Sequence, residues 1–354
     1  MQVIRTIGKH EIAVETGEAM GIALSYDLAV QMGLSAGGEV NRKQLLSALS
    51  SGDDYFPLTC RWELLDKCNF ACPFCYIVGH SSHKVVRFSE ISSELDELIA
   101  SGLLFCTLTG GEVMLHPDFS EIYEFLKSRG VIVEVFTNGL AIDEDVVDLF
   151  RRLPPSSVEV SVYSLDDDKL RDVYAVKDKA PATHVLENVL KLRCSGIRVV
   201  CKTFLNTITE PDFEAIVSWC DANDIEHYSS SDITQAYDGE SLEKFESSVR
   251  AASASERRST SAVCLPCKTK NYGSAINSAF QIFPCPSIRL SDCTFDIRAH
   301  GLPSALRKMQ GFMRSFQDTK ILGAATDSKK CASCMAFAKP VRGASGEISH
   351  FAQW

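Results

Sequence analysis

Between Pro57 and about residue 235 the chain alternates an apolar strand with an amphipathic helix, at a spacing of about 35 residues that suits one βα unit. This alternation is the strongest constraint on the fold, because two parallel strands cannot be joined by a hairpin and need a crossover of helical length. The predicted strands are Leu58–Leu65, Leu103–Leu108, Val131–Phe136, Val158–Tyr163, Ile197–Phe204 and Glu226–Ile233. Between them apolar side chains recur at helical spacing. The stripes are Ile91, Leu95, Leu98 and Ile99; then Phe119, Ile122, Tyr123 and Leu126, opened by His116-Pro117-Asp118 and stopped by Gly130. A helix over 143–152 follows, then Val185, Val189 and Leu192, and finally Phe213, Ile216, Val217 and Cys220. Six units are countable, against the eight of a full barrel. The expected fold is α/β, a partial (β/α)6 TIM-like barrel over 57–246, with its chemistry at the C-terminal strand ends. Six strands leave a lateral opening through which a large substrate such as a peptide could enter.

The flanks are less regular. Residues 1–56 read as a short α+β segment: an extended pair, Val3–Ile7 and Glu11–Thr16, then helical material from Leu24 and again from Asn41 to Leu49. Residues 247–262 are biased to small and polar types and read as a linker, after which 263–354 form a second, smaller module. At 45% apolar and 23% charged residues the composition is that of a globular enzyme, and no run approaches the ~18 apolar residues of a membrane span. A net charge of −10 without a basic run argues against a nucleic-acid surface, which needs clustered Lys and Arg. Neither a nucleic acid nor a membrane is expected as a partner. The start, Met1-Gln2-Val3-Ile4-Arg5, lacks the features of a secretory signal, and a cytoplasmic location is expected. Fourteen cysteines in such a chain, clustered at metal-ligand spacings, are expected to be mostly ligands rather than disulfides.

The chemistry centres on Cys68-Asn69-Phe70-Ala71-Cys72-Pro73-Phe74-Cys75, three cysteines at C-x3-C-x2-C directly after the first predicted strand. A [4Fe–4S] cube takes one thiolate per iron, so this loop can hold three irons and leave the fourth open to a substrate or cosubstrate. The alternatives are a zinc site and three ordinary thiols. Zinc wants a fourth nearby ligand, and His80 and His83 lie off the usual spacing.

The spacing, with Phe74 before the last cysteine and Tyr76 after it, resembles the signature of the radical S-adenosylmethionine (SAM) enzymes. In that family the open iron chelates SAM, and an electron from the cluster cleaves it to a 5'-deoxyadenosyl radical. Thr109-Gly110-Gly111-Glu112, at the end of the second strand, resembles the family's Gly-Gly-Glu motif. By that resemblance the backbone of Gly110 and Gly111 and the Glu112 carboxylate hold the amino group of SAM. The resemblance also makes Ser161 the partner of the SAM ribose, with Ser164 a poorer choice. It puts Thr137-Asn138-Gly139, Lys202 and Asn206 where the family contacts SAM. The sites implied are thus Cys68, Cys72 and Cys75 for the cluster and Phe74, Tyr76, Gly110, Gly111, Glu112, Asn138, Ser161 and Lys202 for the cofactor.

After the linker come Cys264, Cys267, Cys285, Cys293, Cys331 and Cys334, where Cys267 and Cys285 flank a predicted hairpin, Ser274–Phe283, and a predicted helix, Leu302–Phe316, precedes the C-x2-C pair. Four converging thiolates suit a fully ligated cluster or a zinc ion. The order C-x17-C, long gap, C-x2-C resembles the SPASM/twitch extension of radical SAM enzymes, which holds auxiliary [4Fe–4S] clusters. Where a full SPASM domain continues with more cysteines this chain has Pro340 and Ala344, so one auxiliary cluster on Cys267, Cys285, Cys331 and Cys334 is implied, with Cys264 and Cys293 left for a degenerate second site, a hydrogen-donating thiol or plain structure. Members with such extensions modify ribosomally made peptides by cross-linking, oxidation, epimerisation or excision. Others oxidise small molecules such as sugar or cyclitol alcohols. The expected function is peptide maturation, with that small-molecule dehydrogenation as the alternative. A stretch resembling peptide maturases, Asp232–Gly239, offers Asp232 and Asp238 as acid or base. Peptide-modifying members often carry a winged-helix module where 1–56 stands, or use a separate leader-binding protein; a cover for the barrel is the plainer reading of 1–56. A flavodoxin or ferredoxin is implied as electron donor.

Overall fold

The computed structural model describes residues 2–7, 10–15, 21–24, 28, 42–49, 57–77, 85–231, 272–285, 294–318, 338–342 and 348–353. The expected linker, Asp232 and Asp238, and Cys264, Cys267, Cys293, Cys331 and Cys334 lie outside the described residues.

At the N-terminus β1 (Gln2–Ile7), β2 (His10–Glu15) and β3 (Gly21–Leu24) form an antiparallel sheet in that order, followed by α1 (Arg42–Leu49). The expected extended pair and the helix near Asn41 are present, but Leu24 ends a strand instead of starting a helix. Its short apolar run fits either period, and pairing decides: Leu24 stands opposite Ile12 and Ile22 opposite Val14, both on buried partners.

The barrel strands are β4 (Thr59–Glu63), β5 (Phe105–Thr109), β6 (Ile132–Thr137), β7 (Ser157–Ser161), β8 (Val199–Phe204) and β9 (Glu226–Ser230), each parallel to the next. The crossovers are α2 (Ser92–Ala100), α3 (Phe119–Ser128), α4 (Glu144–Arg152), α5 (Asp167–Val173) with α6 (Pro181–Cys194), and α7 (Phe213–Ala222). Alternation within the strands sorts their two faces. Cys60, Trp62, Cys106, Leu108, Val133, Val135, Val158, Val160 and Cys201 join Leu95, Ile122, Leu126, Phe150, Val189 and Ile216 from the helices in one core. Four of the strand and helix cysteines, Cys60, Cys106, Cys201 and Cys220, are buried core residues.

The opposite face is polar. Thr107 donates to Glu134 at 2.9 Å, Glu159 pairs with Lys202, and the Lys202 ammonium lies 4.1 Å from the Phe136 ring centroid, with the Arg61 guanidinium 5.2 Å from it. Such a charged concave face is what a barrel that holds a polar ligand needs, and what a packed apolar barrel lacks.

The N-terminal segment closes the bottom. Ile7, Ile12, Val14, Leu45, Leu46 and Leu49 pack on Leu58, Leu104, Phe105 and Ile132, at the N-terminal ends of β4 to β6. Buried Arg5 donates to the carbonyls of Ile99 (2.7 Å) and Arg129 (3.4 Å), where α2 and α3 end, and Arg42 bonds Glu134 at 2.8 Å. These contacts are those of a cover.

Past the barrel, β10 (Gly273–Ile276), β11 (Gln281–Phe283) and β12 (Phe295–Asp296) include the predicted hairpin, and α8 (Ile297–His300) and α9 (Leu302–Asp318) the predicted helix. The described elements of 272–309 join the barrel. β10 runs parallel to β4, with Gly273 opposite Thr59, giving one nine-stranded sheet in the order β12-β11-β10-β4-β5-β6-β7-β8-β9. Phe280, Ile282, Leu302 and Met309 belong to the barrel core, and the Phe280 ring meets Trp62 at 5.7 Å. A last hairpin, β13 (Ala338–Arg342) with β14 (Ile348–Gln353), places Pro340 opposite Phe351.

Candidate iron–sulfur and cofactor site

The loop 64–77 leaves the C-terminal end of β4 and is fastened on three sides. From β5, the Gly111 amide donates to Leu65 O at 2.7 Å and the Glu112 amide to Lys67 O at 2.9 Å. The glycines are needed for this approach: a Cβ at Gly111 would lie 2.3 Å from Lys67 O, and Gly110, at φ +143°, would put one 2.5 Å from Leu65 O. From β6, Asn138 Nδ2 donates to Asn69 Oδ1 at 2.6 Å and approaches Cys68 Sγ at 3.7 Å. From the segment after α5, the Tyr174 carbonyl accepts the Ala71 amide at 2.8 Å.

Inside the loop the Phe70 amide donates to Cys68 Sγ at 3.4 Å, and a turn closes from the Cys75 amide to Cys72 O at 3.0 Å. Cys68, Cys72 and Cys75 are partly exposed free thiols close enough to feel one another's charge. Burial pushes the Cys68 thiol up to about 12 and Cys75 to about 11, and raises Cys72 well above its ordinary value, with the neighbouring sulfurs adding to the effect on Cys72. Three crowded thiols that resist ionisation suit a strongly cationic partner, since metal coordination removes the proton outright. Among the described residues no three His, Cys, Asp or Glu side chains converge on a single ion. A cluster makes no such demand, because each thiolate goes to a different iron. The donor set fits a [4Fe–4S] cluster with one open iron.

Glu112 is fully buried. Its Oε1 accepts from Thr137 Oγ1 (2.7 Å) and the Met114 amide (3.1 Å), and its Oε2 from the Asn138 amide (2.7 Å). Burial raises its carboxyl above the ordinary range while these donors hold it back. A carboxylate has about four lone-pair positions, so one remains on Oε2 for an outside donor. Glu112 thus ties the ends of β5 and β6 together.

The other expected site residues fall as follows. Phe74 is buried in an aromatic cage, 5.2 Å from Tyr163, 5.5 Å from Phe204 and 6.0 Å from Tyr174, so it seats the loop. Tyr76 donates to Glu63 at 3.3 Å. Ser161 stands opposite Lys202 on the concave face. Ser164 is buried and accepts the Asp166 amide at the start of α5. Asn206 is fully buried, spending its side chain on Phe204 O and the Ile208 amide. Of the auxiliary set only Cys285 is described, partly exposed just past β11. Sequence reasoning missed Asn69, Glu159, Tyr163 and Tyr174; phenols and an ion pair carry no local motif, and only the stacking of distant segments brings Tyr163 and Tyr174 to the loop and Lys202 to Glu159.

The sequence model of the radical SAM superfamily matches residues 62–220. The sporulation killing factor maturation protein SkfB of Bacillus subtilis is 30% identical over 184 residues, 50% of this chain and 43% of SkfB. The antilisterial bacteriocin subtilosin biosynthesis protein AlbA of the same organism is 30% identical over 114 residues, 31% of this chain and 25% of AlbA. The chain thus spans less than half the length of these curated relatives. Among solved structures, Streptococcus suis SuiB bound to S-adenosylmethionine superposes with a TM-score of 0.64 at 15% identity, over 95% of this chain and 92% of SuiB. SuiB bound to the precursor peptide SuiA gives 0.62 at 13% identity, over 91% and 92%. The fold is that of SuiB, and residues 62–220 match the radical SAM superfamily, whose cofactors are a [4Fe–4S] cluster and S-adenosylmethionine.

Proposed function

We propose that this chain is a radical SAM maturase that modifies a ribosomally synthesised peptide. The observation that carries the chemistry is the fastening of the Cys68–Cys75 loop to Gly111, Glu112 and Asn138, which gathers a thiol triad and a buried carboxylate at adjoining strand ends. The peptide as substrate rests on SkfB and AlbA, whose names tie them to peptide products, and on SuiB, which was solved with its precursor peptide. In support, the described sheet has free edges at β9 and β12, so the concave face stays reachable from the side.

Cys68, Cys72 and Cys75 would hold the cluster; Gly110, Gly111 and the remaining Glu112 lone pair would take the amino group of SAM, Ser161 its ribose, and Asn138, Tyr76 and Lys202 would lie alongside. When bound, cluster and SAM supply a one-electron reductive cleavage whose product takes hydrogen from a C–H bond. The chain's own part is to fix the geometry: Phe74 anchors the loop, Glu112 locks the two strand ends, and the Glu159–Lys202 pair presents fixed charge to whatever enters. Cys267, Cys285, Cys331 and Cys334 are the proposed ligands of one auxiliary cluster, and a flavodoxin or ferredoxin the proposed donor. No helix among the described residues is long and apolar enough to cross a membrane. With Cys60, Cys68, Cys72, Cys75, Cys106, Cys194, Cys201 and Cys220 outside any disulfide, a reducing cytoplasm is the compartment we propose.

The test is to incubate anaerobically reconstituted protein with SAM, dithionite and the peptides encoded beside its gene. Release of 5'-deoxyadenosine with a discrete mass change in one peptide is expected. SAM turnover with every peptide unchanged would refute the peptide assignment.

A further inference from the structure

Tyr174 is fully buried, and its hydroxyl has no hydrogen-bond partner among the described residues. Burying a phenol without a partner is costly, and nearly all buried hydroxyls find one. Its surroundings say where the partner belongs. The Tyr174 carbonyl holds the Ala71 amide, between Cys68 and Cys72, at 2.8 Å. Its ring stacks on Tyr163 at 5.6 Å and 13° and stands edge-on to Phe74 at 6.0 Å. The next residue, Ala175, has φ +50°, a left-handed conformation that a residue with a Cβ rarely adopts. A strained turn therefore holds Tyr174 against the cysteine loop.

Burial above all holds the phenol above its ordinary range, and the Cys72 sulfur and then Asp212 add to the effect. Asp212 is already engaged, pairing with Lys169 and accepting from Ser164. The neighbouring Tyr163 differs in being only partly buried.

We propose that Tyr174 donates its phenolic hydrogen bond to sulfur of the cluster at Cys72 and thereby raises the reduction potential of that cluster. The reduced cluster carries one more negative charge than the oxidised one, so a donor to its sulfur stabilises the reduced form more. Tyr174 is a positioning and tuning residue; it does not itself move a proton or an electron. The proposal rests on the assignment of the cluster to Cys68, Cys72 and Cys75.

Tyr174→Phe keeps the ring and removes the hydroxyl. The measurement is an EPR-monitored redox titration of the anaerobically reconstituted full chain, following the signal that changes when SAM is added. A more negative midpoint than wild type is expected at equal iron content, with the Tm of the iron-free protein not lowered, since no protein hydrogen bond is lost. Tyr123→Phe is the control: its hydroxyl donates to Leu153 O at 2.5 Å, far along α3, so the Tm should fall and the midpoint should stay. An unmoved midpoint in Tyr174→Phe, a shift shared by Tyr123→Phe, or a lower Tm of the iron-free Tyr174→Phe protein overturns the role of Tyr174. A wild type in which that signal survives Cys68/Cys72/Cys75→Ala instead overturns the cluster assignment itself.

Discussion

Lys127 illustrates how much a single buried charge can matter in this fold. It lies on α3 with no solvent exposure, and its ammonium donates to Pro154 O at 2.7 Å, while Tyr123 one turn earlier donates to Leu153 O. The two side chains satisfy the carbonyls where α4 ends. Burial lowers the Lys127 pKa from 10.5 to about 8. Below pH 8 both folded and unfolded chains carry the proton, and the cost of burying the charge is fully present. Between about 8 and 10.5 the folded chain has released a proton that the unfolded chain keeps, so stability rises with pH, by about 3 kcal/mol in all. Urea unfolding of wild type and Lys127→Met across that range should show this climb in the wild type alone; parallel curves would mean that Lys127 is not so strongly desolvated.

At the scale of elements, the decisive contact is between the loop after β4 and the loop after β5. Gly111→Ala would set a methyl 2.3 Å from Lys67 O and 2.4 Å from Asp66 O, both backbone atoms that cannot swing aside. We expect a loss of about 3 kcal/mol and a reconstituted protein that fails to hold iron at the Cys68 loop. Full stability with full iron in this variant would show that the two loops do not need to touch. Much of this level was legible in the sequence. Buried parallel strands such as Val131–Phe136 are apolar runs set off by glycine, and the cysteine spacing and Gly110-Gly111-Glu112 fell where the strand pattern put them. What was illegible is set by distant partners. Ile22-Ala23-Leu24 became a strand because β2 lay beside it, and His116-Pro117-Asp118 opened α3 with an Asp118 that turns to Arg87 and the Phe88 amide instead of capping the helix. The hairpin β10–β11 was visible, but nothing local announced that it would dock on β4.

Over the whole molecule, the two cysteine groups predict two clusters. Reconstituted wild type should carry about eight irons and a Cys68/Cys72/Cys75→Ala variant about four. About twelve falling to about eight would mean that Cys264 and Cys293 build a third site. The union of β10 with β4 bears on something other than catalysis. Ser274 bonds the Thr59 carbonyl across 215 positions of sequence, whereas β4 meets β5 almost at once. A ribosome adding roughly 5–20 residues each second needs about 10 to 40 s between delivering those two strands. Throughout that interval β4 is an uncovered edge of a growing sheet, the kind of edge that invites pairing with another chain. The cysteine loop hangs from that same strand, so a nascent chain leaves its most vulnerable edge and these cysteines uncovered together.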